Sequence, residues 1–288
     1  MAAESGGGAL WFQLYWSKSD ELVESLLARA ERIGAHAIVV TLDTSLLGWR
    51  PRDLDRAFLP FIHGMGIAQY TSDPVFRQLV AQRMERPPTS DTPPTKITAG
   101  ALRTLIGMTR RYPGPFLPML RSGEPRVAVE TFLDVFSRTD LTWDDLAVLR
   151  TRTSLPIVLK GIQHPDDARH ALDVGVNGMI VSNHAGRQLD GAIASLDALP
   201  GIVAAVAGRA PVLFDSGARG GADMFRALAL GAAAVCVGRP WVYGLALAGE
   251  EGAREVLRNL LAEFDLTLAL SGHRSIAELS AAALVRNS

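Results

Sequence analysis

The chain has 288 residues, of which 48% are hydrophobic and 20% charged, the composition of an ordinary soluble globular protein. Its 29 lysines and arginines and 30 aspartates and glutamates give a net charge of -1, which offers no support for nucleic-acid binding. The single cysteine, Cys236, excludes an intrachain disulfide and a multi-cysteine zinc site, and we assign no metal site. The most apolar stretch, residues 227–249, is interrupted by Arg239 and Pro240. With no signal-peptide pattern at the N-terminus, these features predict a cytoplasmic protein without a membrane segment.

Six short apolar runs predict buried parallel strands, because each is too uniformly apolar for a strand with one solvated face. They are Leu10–Tyr15, Ala37–Asp43, Ile157–Gly161, Gly178–Ser182, Val212–Ser216 and Ala233–Gly238. Helical patterns lie between the runs, with starts at Ser19, Thr142, His164 and Gly221. This alternation predicts an α/β fold, either a doubly wound sheet or a (β/α)8 barrel.

The connection between the second and third predicted strands is far longer than a usual βα loop. We assign the whole chain, residues 1–288, to a single domain and treat residues 58–140 as a lid-like insertion within it. The proline-rich segment Glu85–Lys96 predicts a mobile loop in the middle of the insertion. An insertion at a βα junction is more often a lid or an oligomer contact than a separate domain.

Polar side chains end every predicted strand, which is where both candidate architectures bind ligands. In chain order they are Gln13 and Tyr15, Thr41 and Asp43, Lys160, Ser182 to His184, Asp215 to Gly217, and Gly238 with Arg239. Glycines and an arginine follow each of the last two strands, in DSGARGG and GRP. This pattern favours a phosphate-bearing cofactor or substrate held near Arg219 and Arg239. No GxGxxG fingerprint for a nicotinamide dinucleotide follows a strand.

The segments FQLYW, VVTLDT, LPIVLKGI, IVSNHAGRQLDG, VLFDSGARGGADMF and VGRPWVYG resemble, in order, the motifs of the FMN-dependent α-hydroxy-acid oxidase family. GWRPRDL, YTSDPVF, LTWDDL and LKGIQHPDDAR look closest to the lactate 2-monooxygenase branch. The resemblance implies a TIM (β/α)8 barrel. Family members carry further residues ahead of FQLY, including the first two barrel strands. The chain is therefore expected to be N-terminally truncated and to hold only strands three to eight.

The resemblance also implies a role for each matching residue. His184 would be the base, Asp43 would stabilise its imidazolium form, and Lys160 would stabilise the reduced flavin. The substrate would be bound by Tyr15, Arg50, His184 and Arg187. The cofactor would be bound by Gln13, Thr41, Lys160, Ser182, Asp215, Ser216, Gly217, Ala218, Arg219, Gly238 and Arg239. One departure is Ala185, which stands where the family more often has glycine after the histidine.

The function that the resemblance implies is oxidation of a small L-2-hydroxy acid, such as L-lactate, by FMN with oxygen as electron acceptor. In the monooxygenase variant the products are a shortened acid, which is acetate from lactate, together with carbon dioxide and water. The alternative is an inactive barrel remnant, or a subunit that a partner completes. A third possibility, a relative acting on a peptide or another phosphate-bearing substrate, is disfavoured by Arg50 and Arg187, which suit a small carboxylate. The family also implies a homo-oligomer, a tetramer or an octamer.

Overall fold

A computed structural model of the chain describes residues 6–85 and 98–285. Six parallel strands form one sheet in the order β1-β2-β3-β4-β5-β6. They are β1 (Trp11–Leu14), β2 (Ala37–Thr41), β3 (Ile157–Ile162), β4 (Gly178–Val181), β5 (Val212–Phe214) and β6 (Ala234–Val235). All six predicted strands are present and parallel, and a strictly sequential parallel order is that of a (β/α)8 barrel. The prediction that all six are buried is wrong for β1 and β6, which lie at the two edges of the sheet and are partly exposed. Five of the six strands stop short of the predicted end, and only β3 extends one residue beyond it.

The described residues also form twelve α-helices. They are α1 (Asp20–Arg32), α2 (Pro51–Asp55), α3 (Ala68–Thr71), α4 (Pro74–Glu85), α5 (Ala99–Arg111), α6 (Phe116–Ser122), α7 (Glu124–Val135), α8 (Trp143–Arg152), α9 (Pro165–Asp173), α10 (Ser195–Val206), α11 (Gly221–Ala229) and α12 (Arg239–Leu270). Single 3-10 turns occur at Pro60–His63, His184–Gly186, Ile276–Glu278 and Ala281–Ala283. None of the helices in the described ranges combines the length and apolarity needed to cross a membrane.

The helix starts that the sequence predicts are present, and their caps explain them. The Ser19 hydroxyl accepts a hydrogen bond from the backbone N–H of Leu22 at the start of α1. At the start of α8, the Asp145 carboxylate accepts from the backbone N–H of Thr142 over 2.7 Å. Proline at the first position of α9 follows the cap residue His164.

The chain divides into two compact units. The first comprises the described parts of Met1–Leu14, Ala35–Trp49 and Thr142–Ser288, and it contains the sheet. The second comprises Tyr15–Gly34 and the described parts of Arg50–Leu141. The assignment of the chain to one domain, and of residues 58–140 to a lid, stays a prediction. The proline-rich segment Glu85–Lys96 lies outside the described residues except for Glu85.

Alternating apolar residues of neighbouring strands form one hydrophobic cluster of the first unit, on one face of the sheet. This cluster comprises Ala37, Val39, Val158, Ile180 and Leu213, with Cys236 packed against it. A second cluster, formed by Phe225, Ala229, Phe264 and Leu268, joins α11 to α12. The two clusters hold the sheet and its last two helices in place, and so position the residues that follow the strand ends.

A fully buried carboxylate organises the second unit. Asp73, with a side chain that is 0% exposed, accepts hydrogen bonds from the Ser25 hydroxyl and from Nη1 of Arg29, the latter over 2.9 Å. The backbone N–H of Val75 donates to the same carboxylate. These bonds tie α1 to the start of α4 and compensate the burial of the charge. Burial also raises the pKa of the nearby Tyr70 to about 12.

Candidate active site

His184 and Asp43 meet at the carboxyl end of the sheet, although their strands are not adjacent. Asp43 follows β2 and His184 follows β4, with β3 between them. The Nδ1 atom of His184 lies 2.9 Å from Oδ1 of Asp43, and their side chains are 20% and 12% exposed. A carboxylate at Nδ1 sets the ring orientation and stabilises the imidazolium. The Nε2 atom is therefore the one left to exchange a proton with a ligand.

Lys160, on β3, lies between two carboxylates. Its Nζ is 3.1 Å from Oδ2 of Asp215 and 3.5 Å from Oδ2 of Asp43, and it donates to the Ser182 hydroxyl over 2.7 Å. The register between β3 and β4 shifts around Gly161, a bulge of the kind that redirects side chains near active sites. With two carboxylates and one ammonium, the cluster carries a negative charge that a protonated His184 would neutralise.

The backbone at His184 is held in an unusual conformation. His184 has φ 54° and Ala185 has φ 55°, two consecutive non-glycine residues in the left-handed region. The Ser182 hydroxyl accepts from the N–H of His184 over 3.1 Å, and the Ser216 hydroxyl accepts from the N–H of Ala185 over 2.9 Å. Strain of this kind persists only where the surroundings impose it, and it is concentrated at functional sites.

Sequence reasoning missed two residues that position this site. Gln188 donates from Nε2 to the carbonyl oxygens of Asp43 and Leu46, each over 2.8 Å, and so connects the two loops that carry Asp43 and His184. The Ser195 hydroxyl accepts from the N–H of Asn183 over 2.8 Å. The polar character of GRQLDG was a signal for Gln188, but its partners lie 142 and 145 residues away in the chain.

Close packing fixes the same loops. A Cβ added to Gly48 would lie 2.5 Å from the carbonyl oxygen of Gln188, and one added to Gly161 would lie 3.0 Å from Cβ of Asp43. Both positions therefore require glycine because the neighbouring loop approaches so closely. This packing leaves Asp43 little freedom to move away from His184.

The two candidate phosphate-binding arginines stand at different helix starts. At α11, Oδ2 of Asp223 already accepts from the backbone N–H groups of Arg219 and Gly220, over 3.0 and 3.2 Å. At α12, the cap residue is Gly238, so no side chain caps the first turn. Nη2 of Arg239 reaches the carbonyl oxygen of Ala185 over 3.5 Å. The start of α12, with its exposed arginine, is therefore the stronger candidate for an anion site.

The remaining predicted cofactor residues lie along the same edge of the sheet. Nε2 of Gln13 donates to the Thr41 hydroxyl over 2.7 Å, which joins the ends of β1 and β2. The Ser216 hydroxyl donates to Oδ1 of Asp215 over 2.7 Å. Ala218 is buried, whereas a Cβ added to Gly217 would meet nothing within 4 Å. Burial, followed by the Asp215 carboxylate, raises the pKa of the Cys236 thiol to about 11.

Three of the residues predicted to bind the substrate do not all belong to the same unit. Arg187 is exposed and directly follows the His184–Gly186 turn in the first unit. Tyr15 and Arg50 belong to the second unit, where Nη1 of Arg50 lies 4.0 Å from Oδ2 of Asp53. Their contribution to substrate binding stays a prediction.

A partly buried histidine and carboxylate pair at the carboxyl end of a parallel sheet, with a lysine beside it, is the arrangement of an α/β enzyme site. The chain belongs to the FMN-dependent dehydrogenase family, whose sequence model matches residues 1–286. FMN is therefore the cofactor of the family to which this site belongs.

Individual relatives give the same result. An FMN-dependent alpha-hydroxy acid dehydrogenase, qulF, of Penicillium citrinum is 43% identical over 279 residues, covering 96% of this chain and 61% of the relative. An L-lactate oxidase of Lysinibacillus sphaericus is 43% identical over 277 residues, with the same shares. A crystal structure of a mandelate oxidase matches with a TM-score of 0.66 at 34% identity, covering 96% of this chain and 63% of that one. The chain thus spans about three fifths of the length of these relatives.

The residues at the strand ends fit FMN. A Cβ added to either Gly217 or Gly238 would meet nothing within 4 Å, so the backbone at the ends of β5 and β6 borders open space. Arg219 and Arg239, both exposed, supply the positive charge that a phosphate requires. Lys160 supplies a third cation at the centre of the sheet edge.

Proposed function

We propose that this protein oxidises a small L-2-hydroxy acid, such as L-lactate, with FMN as cofactor and oxygen as electron acceptor. FMN, when bound, accepts the two electrons that leave the substrate. The observation that carries the proposal is the contact of 2.9 Å between Nδ1 of His184 and Oδ1 of Asp43, beside the Lys160 ammonium.

The proposed work of the chain is to move a proton and to hold charge. His184 takes a proton from the 2-hydroxy acid at Nε2, and Asp43 stabilises the imidazolium that forms. Arg187, with Arg50 and Tyr15, binds the substrate, the arginines through its carboxylate. Gln13, Thr41, Lys160, Ser182, Asp215 and the glycines and arginines after β5 and β6 would hold the cofactor.

The finer proposal is that the insertion retains the keto acid until peroxide decarboxylates it, which gives acetate, carbon dioxide and water from L-lactate. The resemblance of GWRPRDL and LTWDDL to the lactate 2-monooxygenase branch supports this outcome. A cytoplasmic location and a homo-oligomeric state stay predictions.

The test begins with a titration of the purified chain with FMN, followed by anaerobic mixing of the complex with L-lactate, glycolate or L-mandelate. We expect stoichiometric yellow complex and bleaching by an L-2-hydroxy acid, with D-lactate as the control that does not bleach it. Products formed in air, with catalase present, then separate acetate from pyruvate. A protein that stays colourless, or a complex that no 2-hydroxy acid bleaches, would contradict the proposal and favour an inactive or partner-completed chain.

A further inference from the structure

A cavity of about 770 Å³ lies in the second unit, among residues that share no member with the candidate active site. Helix α5 lines one side of it, and the segment from Phe58 to Met65 lines the other. The walls are largely apolar, with Phe58, Met65 and Ile106 among the lining residues. The rings of Phe58 and His63 stack with centroids 5.1 Å apart, which gives that wall a fixed shape.

Three arginines of α5 give this apolar cavity a positive charge. Arg103 and Arg110 are seven residues apart, so they lie on one face of the helix, and both line the cavity. Within residues 6–85 and 98–285, no acceptor bonds the guanidinium of Arg103 or Arg110, and no carboxylate lines the cavity. Nη1 of Arg111 is held by the carbonyl oxygens of Gly107, at 2.7 Å, and His63, at 3.4 Å.

A smaller cavity of about 340 Å³ adjoins the first, since Met65 and Arg111 line both. Its other walls are mainly apolar and include Ile67, Met108 and Val129. The methionine between the two cavities is Met65, and its unbranched side chain can change conformation because it has several rotatable bonds. A rearrangement of the Met65 side chain is therefore what would let an apolar chain extend from the larger cavity toward the smaller one.

We propose that these two cavities form a binding site for an amphipathic monocarboxylate, a small anion with a carboxylate head and an apolar chain. Guanidinium groups bind carboxylates through paired, charge-assisted hydrogen bonds, which suits Arg103 and Arg110 to the head. The apolar walls and the adjoining smaller space suit the chain. A fully polar anion would make no apolar contacts with these walls, and a neutral alcohol would make no ion pair with the arginines.

Isothermal titration calorimetry with octanoate as the probe tests the site on the whole chain, without FMN or a 2-hydroxy acid. We expect one saturable site per chain, with acetate and octan-1-ol each binding at least tenfold more weakly. The double variant Arg103→Gln, Arg110→Gln should weaken octanoate at least tenfold. The matched control is Arg121→Gln, which removes an exposed arginine of α6 outside the cavity and should leave the affinity within twofold.

A second variant fills the space without removing a charge. Gly107 lines the cavity, and a Cβ added to it would lie 3.0 Å from Nη1 of Arg111, which lines the cavity too. We therefore expect the side chain of Gly107→Leu to take up part of this space, and leucine favours the helix more than glycine does. It should abolish octanoate binding, while the circular dichroism spectrum and the FMN titration remain those of the parent protein. The proposal is overturned if octanoate gives no saturable binding, if octan-1-ol binds equally well, or if both variants bind octanoate normally.

Discussion

Asp43 and His184 lie 141 residues apart in the chain, yet Oδ1 of one and Nδ1 of the other are 2.9 Å apart. The strand between them is β3, and Nζ of Lys160 on that strand lies 3.5 Å from Oδ2, the second carboxylate oxygen of Asp43. Asp43 thus pairs with a ring nitrogen through one oxygen and with an ammonium through the other. This arrangement leaves Nε2 of His184 as the atom that can take a proton.

Replacing Asp43 by asparagine keeps the shape of the side chain but removes the charge that stabilises the imidazolium. We expect Asp43→Asn to slow anaerobic reduction of bound FMN by L-lactate about 10²–10⁴-fold, the usual cost of impaired general-base catalysis. His184→Ala should show a loss in the same range, with bound FMN retained. Asp173→Asn, at an exposed carboxylate at the end of α9, is the control. Near-normal bleaching in both active-site variants would remove the pair from the mechanism.

The left-handed backbone at Ala185 gives a stability prediction. Glycine adopts φ near 55° without the Cβ clash, which costs other residues about 1–2 kcal/mol, but it loses about 0.5–1 kcal/mol in backbone entropy. Ala185→Gly should therefore stabilise the protein by up to about 1 kcal/mol in urea unfolding. Ala207→Gly, at φ 50° after α10, should behave alike. Ala204→Gly, exposed within α10, should instead destabilise. If all three glycine substitutions changed the free energy of unfolding by the same amount, the backbone conformation at Ala185 would carry no strain.

Ser216, which follows β5, stabilises the same turn by accepting a hydrogen bond from the N–H of Ala185. Ser216→Ala removes the acceptor of the Ala185 N–H and the donor to Asp215, and it should cost about 1–3 kcal/mol, the range for leaving such a group unpaired. The measurement is the urea midpoint of unfolding, with FMN affinity recorded beside it. A variant as stable as the parent would mean that Ser216 does not maintain the turn.

Arg187 should act on the substrate and leave the cofactor unaffected. Arg187→Lys retains the charge but loses the planar fork, so kcat/KM for 2-hydroxy acids should fall while FMN affinity changes little. Steady-state kinetics and an FMN titration together provide the check. A loss of FMN affinity with unchanged kinetics would place Arg187 at the cofactor instead.

The thiol of Cys236 should be almost inert at neutral pH. Its pKa is raised to about 11 by burial and by the Asp215 carboxylate, so the reactive thiolate is a very small fraction at pH 7. The rate of alkylation by iodoacetamide should rise about tenfold per pH unit up to about pH 10, whereas an exposed thiol levels off near pH 9. Asp215→Asn should increase the rate at pH 8, because it removes the charge that opposes the thiolate. A plateau below pH 9 in the parent protein would contradict this prediction.

The sequence by itself determined the strands, the helix starts and the edge of the sheet that carries the polar residues. Uniform apolar runs such as Ala37–Thr41 are buried on both faces, and caps such as Ser19 act within three residues of the chain, so both signals are local. The strand ends that carry Asp43 and His184 were therefore predictable, because parallel strands bring their carboxyl ends to one edge.

Only the tertiary structure decided which of those polar groups touch one another. The hydroxyl of Ser182 is buried in the folded chain and bonds Lys160 and the N–H of His184, two contacts that the sequence did not predict. Asp223 takes two backbone donors at the start of α11, which leaves the start of α12 as the stronger anion site. Contacts between distant segments depend on strand register, the bulge at Gly161 and the close approach at Gly48. No local sequence pattern encodes these, because they are set by how the whole sheet packs.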